Sequence, residues 1–123
     1  MTKERLQIGQ LGEKAARDYL IKSGYKLLHT NYRCTLGEID IIALDQDMIV
    51  IVEVRTKTGS VFGSPEESIT AEKARRLRRL ALYYLQKTYK REVACRIDLV
   101  AVIIDRVDFS VRKLNHFQGI LAG

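Results

Sequence analysis

Two neighbouring segments of the sequence, residues 38–44 and 48–56, are apolar at both odd and even positions, as in the run Ile49 to Val52. Successive side chains of a β-strand point to opposite faces of the sheet, so a strand of this composition must be covered on both faces. Residues 93–104 repeat the pattern. The sequence therefore predicts an α/β fold, in which helices cover both sides of a sheet.

The remaining elements follow from periodicity and from signals at element ends. An apolar period of about 3.6 residues predicts a helix over residues 6–23 and a second helix that runs to about Tyr89. The second helix has two candidate starts, the capping-box string Ser64–Glu67 and Thr70. Strands are predicted at 25–33, 38–44, 48–56, 93–104 and 107–111, and a short terminal helix at 114–121. The predicted order is α-β-β-β-α-β-β, in one domain over residues 1–123 with a central mixed β-sheet flanked by helices.

Several classes of protein are excluded by what the sequence lacks. The longest apolar runs, Met48 to Val52 and Leu99 to Ile104, are far shorter than the about 20 residues of a membrane span. The first residues contain no apolar signal core, so we expect a cytoplasmic protein with no membrane contact. The two cysteines, Cys34 and Cys95, lack metal-binding spacing and are expected to be reduced and buried.

Positive charge is concentrated in the second predicted helix. Residues 71–91 carry eight lysines and arginines against one acid, Glu72, an excess larger than the net charge of +6 of the whole chain. Guanidinium groups donate paired hydrogen bonds to phosphate, and acidic partners at i,i+4 are almost absent here. A solvated helix face is the alternative. We expect nucleic acid as the partner, with contacts from Lys73, Arg75, Arg76, Arg78 and Arg79.

Three acids, Glu38, Asp40 and Glu53, interrupt the apolar strands. A charge in such a strand costs several kcal/mol unless it is paired, protonated or bound to a cation. If residues 46–47 form a two-residue loop, the hairpin places Asp40 directly opposite Glu53, and Glu38 opposite Arg55. Two carboxylates so close repel each other, and a divalent cation relieves that repulsion.

Basic residues share this surface. Glu53, Arg55 and Lys57 lie on one strand face, so two acids and two bases would meet. Carboxylate oxygens suit Mg²⁺, which polarises a phosphoryl oxygen and activates a bound water, while a neighbouring cation offsets developing charge. This combination favours phosphodiester hydrolysis. The alternative is a salt-bridged sheet end, in which the acids are neutralised by these bases and by Lys73.

Two further charged side chains lie beside apolar helix faces. Glu13 lies at the edge of the buried face of the first helix, from which its carboxylate can reach a site on the sheet; exposure to solvent is the alternative. Lys73 falls on the inward face of the second helix. It therefore needs an anion there, or its amine must extend past the apolar surface to solvent.

The acidic strings carry a resemblance to a known family. Gly37-Glu38-Ile39-Asp40-Ile41-Ile42, followed by Val52-Glu53-Val54-Arg55, resembles the YraN family of poorly characterised bacterial proteins. The likeness spans about Gly9 to Phe117, with further matches at Gly12-Glu13, Asn31-Tyr32-Arg33, Phe62-Gly63, Thr70 with Lys73, and Arg96-Ile97-Asp98. That family in turn resembles the restriction-endonuclease-like PD-(D/E)xK superfamily, near archaeal Holliday-junction resolvases. The resemblance implies a restriction-endonuclease-like fold.

The resemblance also implies roles for individual residues. Asp40 matches the metal-binding aspartate and Glu53 the glutamate of the E-x-K element, while Glu13 resembles a helix-borne carboxylate of the resolvase branch. These three would hold Mg²⁺ or Mn²⁺. Arg55 stands where the superfamily has lysine, and arginine can hold a phosphate but hardly deprotonates water. Lys57, on the same face, is the expected substitute.

We therefore expect a metal-dependent nuclease that acts on DNA, including branched or junction DNA in repair or recombination. Arg33, from the matching string on the first strand, joins the basic helix as an expected nucleic-acid contact. The first alternative is a catalytically weak nucleic-acid-binding module of a repair or DNA-uptake assembly, which Arg55 favours. The second is a structural dimer subunit that uses the predicted edge strand at 107–111. A homodimer is also expected by analogy with resolvases.

Overall fold

Five strands form one mixed sheet between two helices in the computed structural model, which describes residues 2–59 and 69–121. The sheet order is β1-β2-β3-β4-β5, and every neighbouring pair is antiparallel except the parallel pair β3 and β4. The predicted α/β fold and its element order are confirmed. The elements are α1 (Lys3–Lys22), β1 (Lys26–Cys34), β2 (Gly37–Asp45), β3 (Met48–Thr58), α2 (Ala71–Thr88), β4 (Cys95–Ile104) and β5 (Val111–Phe117).

Each face of the sheet has its own apolar core, as the doubly apolar strands predict. On one face α1 packs its buried side chains, Ile8, Ala16 and Leu20, against alternate residues of the central strands. On the other face α2 does the same with Leu77, Leu80, Ala81 and Tyr84. The strand residues of the first core include Ile41, Ala43, Val50, Val52, Val100, Val102 and Ile104, and those of the second Ile39, Ile42, Ile49, Ile51 and Ile97.

A close approach fixes α1 on the sheet. The helix begins after Thr2, whose side chain accepts a hydrogen bond from the main chain of Arg5 at 3.2 Å. Gly12 lies directly on β3, since a Cβ atom there would clash with the side chain of Thr56. The glycine therefore lets the helix axis come close to the strand. This contact brings the next residue, Glu13, to the part of the sheet where the acidic side chains lie.

The β2–β3 hairpin has the predicted register. Its pairs run from Asp45 with Met48 to Ile41 with Val52, around a two-residue loop at positions 46–47. The pairing stops there, whereas β3 continues alongside β4 as far as Thr58. The two strands of the hairpin therefore separate at Asp40.

Of the two predicted starts of the second helix, the one at Thr70 lies within the described residues. The helix begins at Ala71, and the Thr70 side chain caps it by accepting a hydrogen bond from the main chain of Lys73 at 3.1 Å. The other candidate start, Ser64–Glu67, lies outside the described residues. The cap also fixes the direction of Lys73, one turn into the helix and over the sheet.

Two predictions at the C-terminal end were wrong. Residues 107–110 of the predicted edge strand are not a strand: a turn forms at 106–108, where Asp105 Oδ1 accepts hydrogen bonds from the main-chain nitrogens of Val107 and Asp108 at 2.8 and 3.1 Å. The last strand is β5 instead, and it occupies much of the predicted terminal helix at 114–121. The alternating apolar pattern covers a turn and then the first residue of β5, so most of the proposed dimer edge at 107–111 is not a strand.

Two expectations about protein class can be compared with the structure. Within residues 2–59 and 69–121, no helix combines the length and hydropathy that a membrane span requires. Cys34 and Cys95 are free thiols, half-buried rather than buried, and burial raises the pKa of Cys95 to about 11. A thiol with such a pKa is almost entirely protonated at neutral pH and a poor nucleophile.

Candidate functional site

Asp40 and Glu53 lie together at the point where β2 and β3 separate. Asp40 Oδ2 accepts a hydrogen bond from the main-chain nitrogen of Val54 at 2.8 Å, and Glu53 is only 7% exposed. Burial, and after it the charge of Glu53, raise the pKa of Asp40 to about 7. The Glu53 carboxylate is therefore close enough to disfavour the ionisation of Asp40, in a site with restricted access to water.

The directly opposed pairs that the register predicts do not form, because β2 is irregular at Asp40. Ile39 and Ile42 both pack on the α2 face, although regular alternation would place them on opposite faces. Asn31 lies across from Asp40, because its neighbours Thr30 and Tyr32 pair with Ile41 and Ile39. It adopts a left-handed φ of 52°. The carboxylate of Asp40 instead accepts a hydrogen bond from the main-chain nitrogen of Val54.

Two more acids extend the cluster across β1 and α1. With its amide nitrogen turned toward them, Asn31 donates to Glu13 Oε1 at 3.0 Å and to Glu38 Oε1 at 3.1 Å. Burial, followed by the charge of Glu38, raises the pKa of Glu13. Glu38 pairs with Arg33, at 3.2 Å between Nε and Oε2, and not with Arg55 as predicted. Glu13 therefore reaches the sheet, as the helix pattern suggested it could.

Lys73 and Arg76 of α2 form ion pairs with Glu53. Lys73 Nζ lies 3.4 Å and Arg76 Nη2 lies 3.8 Å from the same oxygen, Oε2. The side chain of Lys73 is 22% exposed, and its amine forms an ion pair with a buried carboxylate, which is the first of the two predicted outcomes for this inward-facing lysine. The salt-bridge alternative is therefore correct for Glu53.

A cationic cavity of about 510 Å³ opens above these ion pairs. Its lining contains five basic side chains and one acid, Glu72. Arg55 Nε is buried and has no hydrogen-bond partner within the described residues. A buried donor without an acceptor is costly, so an anion in the cavity would relieve it. The residues that line the cavity are Arg55, Thr70, Glu72, Lys73, Arg75, Arg76 and Arg79.

Three predicted site residues lie elsewhere. Lys57 is outside the lining of the cationic cavity and lines a second cavity with Arg5 and Ile8 of α1. Arg33 is 79% exposed at the outer edge of the acidic cluster. Arg78 is exposed on α2, outside the lining of the cationic cavity.

The donor set at Asp40 and Glu53 fits a small divalent cation. Among the described residues, no three histidine, cysteine or acidic side chains are grouped as metal ligands, so Glu13 does not complete a three-ligand set here. Mg²⁺ commonly binds through one or two carboxylates, with water and substrate phosphate in the other positions. A pair of carboxylates beside a cavity for anions has that chemistry.

A second buried acid, Asp98 of β4, was missed in the sequence. It is fully buried and contacts Arg96 Nε at 3.0 Å, the main-chain nitrogen of Gly119 at 2.9 Å and His116 Nε2 at 2.8 Å. The Tyr19 hydroxyl lies 2.9 Å from His116 Nδ1, which joins α1 to this network. The signal was available, since Asp98 is a lone acid within the doubly apolar run 93–104.

Comparison with known proteins gives one consistent match. The model of the uncharacterised protein family UPF0102 matches residues 12–102. A UPF0102 protein of Moorella thermoacetica is 51% identical over 106 residues, which cover 86% of this chain and 88% of that protein. One of Pelotomaculum thermopropionicum is 44% identical over 118 residues (96% and 98%), and one of Mycobacterium avium is 42% identical over 121 residues (97% and 93%).

Proposed function

This chain belongs to the uncharacterised protein family UPF0102, which confirms the YraN resemblance, and we propose that it is a metal-dependent nuclease that hydrolyses phosphodiester bonds of DNA. The observation that carries the proposal is that Glu53, next to Asp40, is ion-paired with Lys73 and Arg76, two of the basic side chains that line the cavity. Phosphodiester hydrolysis needs both features, a site for a divalent cation and a site for the phosphate that it acts on.

In this proposal Asp40 and Glu53 hold Mg²⁺ or Mn²⁺, which when bound polarises a phosphoryl oxygen and lowers the pKa of a water molecule. The Val54 main chain fixes one oxygen of Asp40 through its 2.8 Å hydrogen bond and leaves the other oxygen for a ligand. Glu13 assists from the edge of the cluster, where its side chain is oriented by Asn31.

Arg55 positions the phosphate. Its buried Nε needs an acceptor, and a phosphate oxygen in the cavity supplies one. Because arginine stays protonated, it can offset charge in the transition state but does not accept a proton from water. Lys57 lies outside the lining of the cavity, so the proton of the attacking water leaves through solvent or an acid of the cluster.

The basic residues of α2 bind the nucleic-acid backbone and not the bases. Lys73, Arg76 and Arg79 line the cavity and carry the charge that phosphates require. Binding of this kind releases counterions, so affinity should fall steeply as salt rises. Arg33 and Arg78 can extend the same contact from outside the cavity.

The test is a cleavage screen with Mn²⁺ and Mg²⁺ over linear, nicked, flapped and four-way DNA. We expect Asp40→Ala to abolish metal-dependent cleavage while its affinity for DNA in the absence of metal stays within about twofold of wild type. Asp47→Ala, at the exposed hairpin turn, is the matched control and should cleave normally. If the wild-type protein cleaves none of these substrates with either metal, the proposal is wrong.

One specific observation favours a second candidate, a nucleic-acid-binding module with little or no cleavage. Glu53 already has two cationic partners in the protein, Lys73 and Arg76. Calorimetry separates the candidates. Mn²⁺ binding that is lost in Glu53→Gln supports the nuclease, whereas DNA binding without any metal binding supports the module.

A further inference from the structure

The ion pairs at Glu53 suggest how the site is controlled. We propose that Lys73 and Arg76 are internal counterions, which occupy Glu53 until a nucleic-acid phosphate takes them, so that phosphate binding and divalent-cation binding strengthen each other. This inference rests on the proposed function and adds a regulatory device to it.

The first support is that both cations contact one carboxylate oxygen. Lys73 Nζ and Arg76 Nη2 lie 3.4 and 3.8 Å from Glu53 Oε2. A divalent cation at that oxygen would meet two positive charges within a few ångströms, in surroundings where Coulomb interactions are strong. A cation that binds without nucleic acid must therefore displace these side chains or bind weakly.

The second support is that the same two side chains line the cationic cavity. Arg76 is 48% exposed and Lys73 22% exposed, so both can reach solvent and a phosphate in the cavity. A phosphate offers charged acceptors, and a guanidinium binds it through two parallel hydrogen bonds. Side chains that turn toward phosphate leave Glu53 without its counterions.

The third support is the neighbouring carboxylate. Asp40 lies beside Glu53, and its Oδ2 accepts a hydrogen bond from the main-chain nitrogen of Val54. Once the counterions have left, two acids face each other, and a divalent cation relieves the repulsion. Coupling between two binding events is reciprocal, so Mn²⁺ must tighten nucleic-acid binding by the same factor.

The experiment measures Mn²⁺ affinity of the full chain by electron paramagnetic resonance of the free ion. The probes are Mn²⁺ alone and Mn²⁺ with a short phosphorothioate oligonucleotide, whose linkages resist hydrolysis. The test variant is Lys73→Gln with Arg76→Gln. The control is Arg75→Gln with Arg79→Gln, which removes two charges from the same helix and cavity at positions that the structure does not pair with Glu53.

We expect the oligonucleotide to tighten Mn²⁺ binding to the wild type about tenfold, and the test variant to bind Mn²⁺ about tenfold tighter than the wild type without it. In the absence of the oligonucleotide, the control should bind Mn²⁺ with an affinity within about twofold of the wild type, since neither of its substitutions removes a partner of Glu53. If the double variant unfolds, the single change Arg76→Gln, at a side chain that is 48% exposed, should show part of the effect.

Two results would overturn the inference alone. In one, the test variant binds Mn²⁺ no tighter than the wild type; in the other, the control gains as much affinity as the test variant. Both leave a metal site, and hence the proposed function, intact. If no form of the protein binds Mn²⁺ with or without the oligonucleotide, the proposed function fails and this inference fails with it.

Discussion

Asp98 in β4 and Asp40 in β2 are both carboxylates within apolar strands, but the chain surrounds them differently. Asp98 has donors from Arg96, His116 and Gly119. Burial alone would raise the pKa of Asp98, but these hydrogen bonds outweigh it and hold the pKa below its usual value. Burial and the Glu53 charge instead raise the pKa of Asp40 to about 7.

The contrast separates a structural acid from an available one. Around Asp98 the protein supplies its own positive charge and donors, so the ionised form is stable and joins β4, β5 and α1. Because the carboxylate only accepts, His116 Nε2 must carry the proton toward it. Around Asp40 the charges of Glu53 and Glu13 add to the effect of burial on the pKa, and the hydrogen bond from Val54 does not offset them. That deficit is what a cation from outside the chain would fill.

The largest expected effect comes from Asp98→Asn. The change removes the buried charge that Arg96 and His116 face, and breaking a buried pair typically costs about 3–5 kcal/mol. We expect the free energy of unfolding to fall by about 3 kcal/mol. Urea denaturation measures it, with Asp18→Asn at an exposed site of α1 as the control. A loss below about 0.5 kcal/mol would remove the distinction between the two acids.

The same substitution at Asp40 should act in the opposite direction. Asparagine keeps an acceptor for the Val54 nitrogen and removes the repulsion with Glu53. We therefore expect the free energy of unfolding of the variant, measured in EDTA at about pH 8, to exceed that of the wild type by about 1–2 kcal/mol. Denaturant unfolding at that pH is the measurement. Destabilisation by this variant would mean that the Asp40 charge is already compensated.

The gain at Asp40 should depend on pH. Its folded pKa, about 7, exceeds the usual 3.8, so between these values the folded protein binds more protons than the unfolded chain. Wild-type stability from this group therefore falls as pH rises through that window and stays low above it. The advantage of Asp40→Asn should vanish near pH 4, and an advantage equal at about pH 4 and pH 8 would contradict the titration.

The smallest effect is expected at Arg33. Its ion pair with Glu38 lies at the exposed edge of the acidic cluster, and exposed pairs contribute about 0–1 kcal/mol. We expect Arg33→Gln to change the free energy of unfolding by less than about 0.5 kcal/mol. A larger loss would mean that the cluster depends on this outer charge for its balance.

Much of the fold could be predicted because the spacing of apolar residues and the positions of charged residues are visible within short stretches of the sequence. The doubly apolar strands, the hairpin register and the Thr70 cap depend on neighbouring residues. The C-terminal errors have a different cause. Val107 and Phe109 have the alternating pattern of a strand, but the Asp105 side chain accepts hydrogen bonds from the main chain and stabilises a turn. The spacing of apolar residues does not reveal such a side-chain hydrogen bond.

The site could be predicted in its residues but not in its detail. Asp40, Glu53 and Lys73 meet as the pattern suggested, since each is a charge on an apolar face. The irregularity at Asp40 depends on the left-handed Asn31 in another strand, which no local pattern shows. The apolar run around Asp98 marks it as an unusual acid, but its partners His116 and Gly119 are 18 and 21 positions away, so the local pattern does not show what it binds.

The most direct test of the central claim, that Asp40 and Glu53 share one divalent cation, is an anomalous difference map at the manganese edge from crystals grown with MnCl₂ and a short DNA. We expect a peak about 2.0–2.2 Å from an oxygen of each carboxylate, and no such peak in crystals of Asp40→Asn. A map with no peak there, or with manganese only at other surface acids, would contradict it.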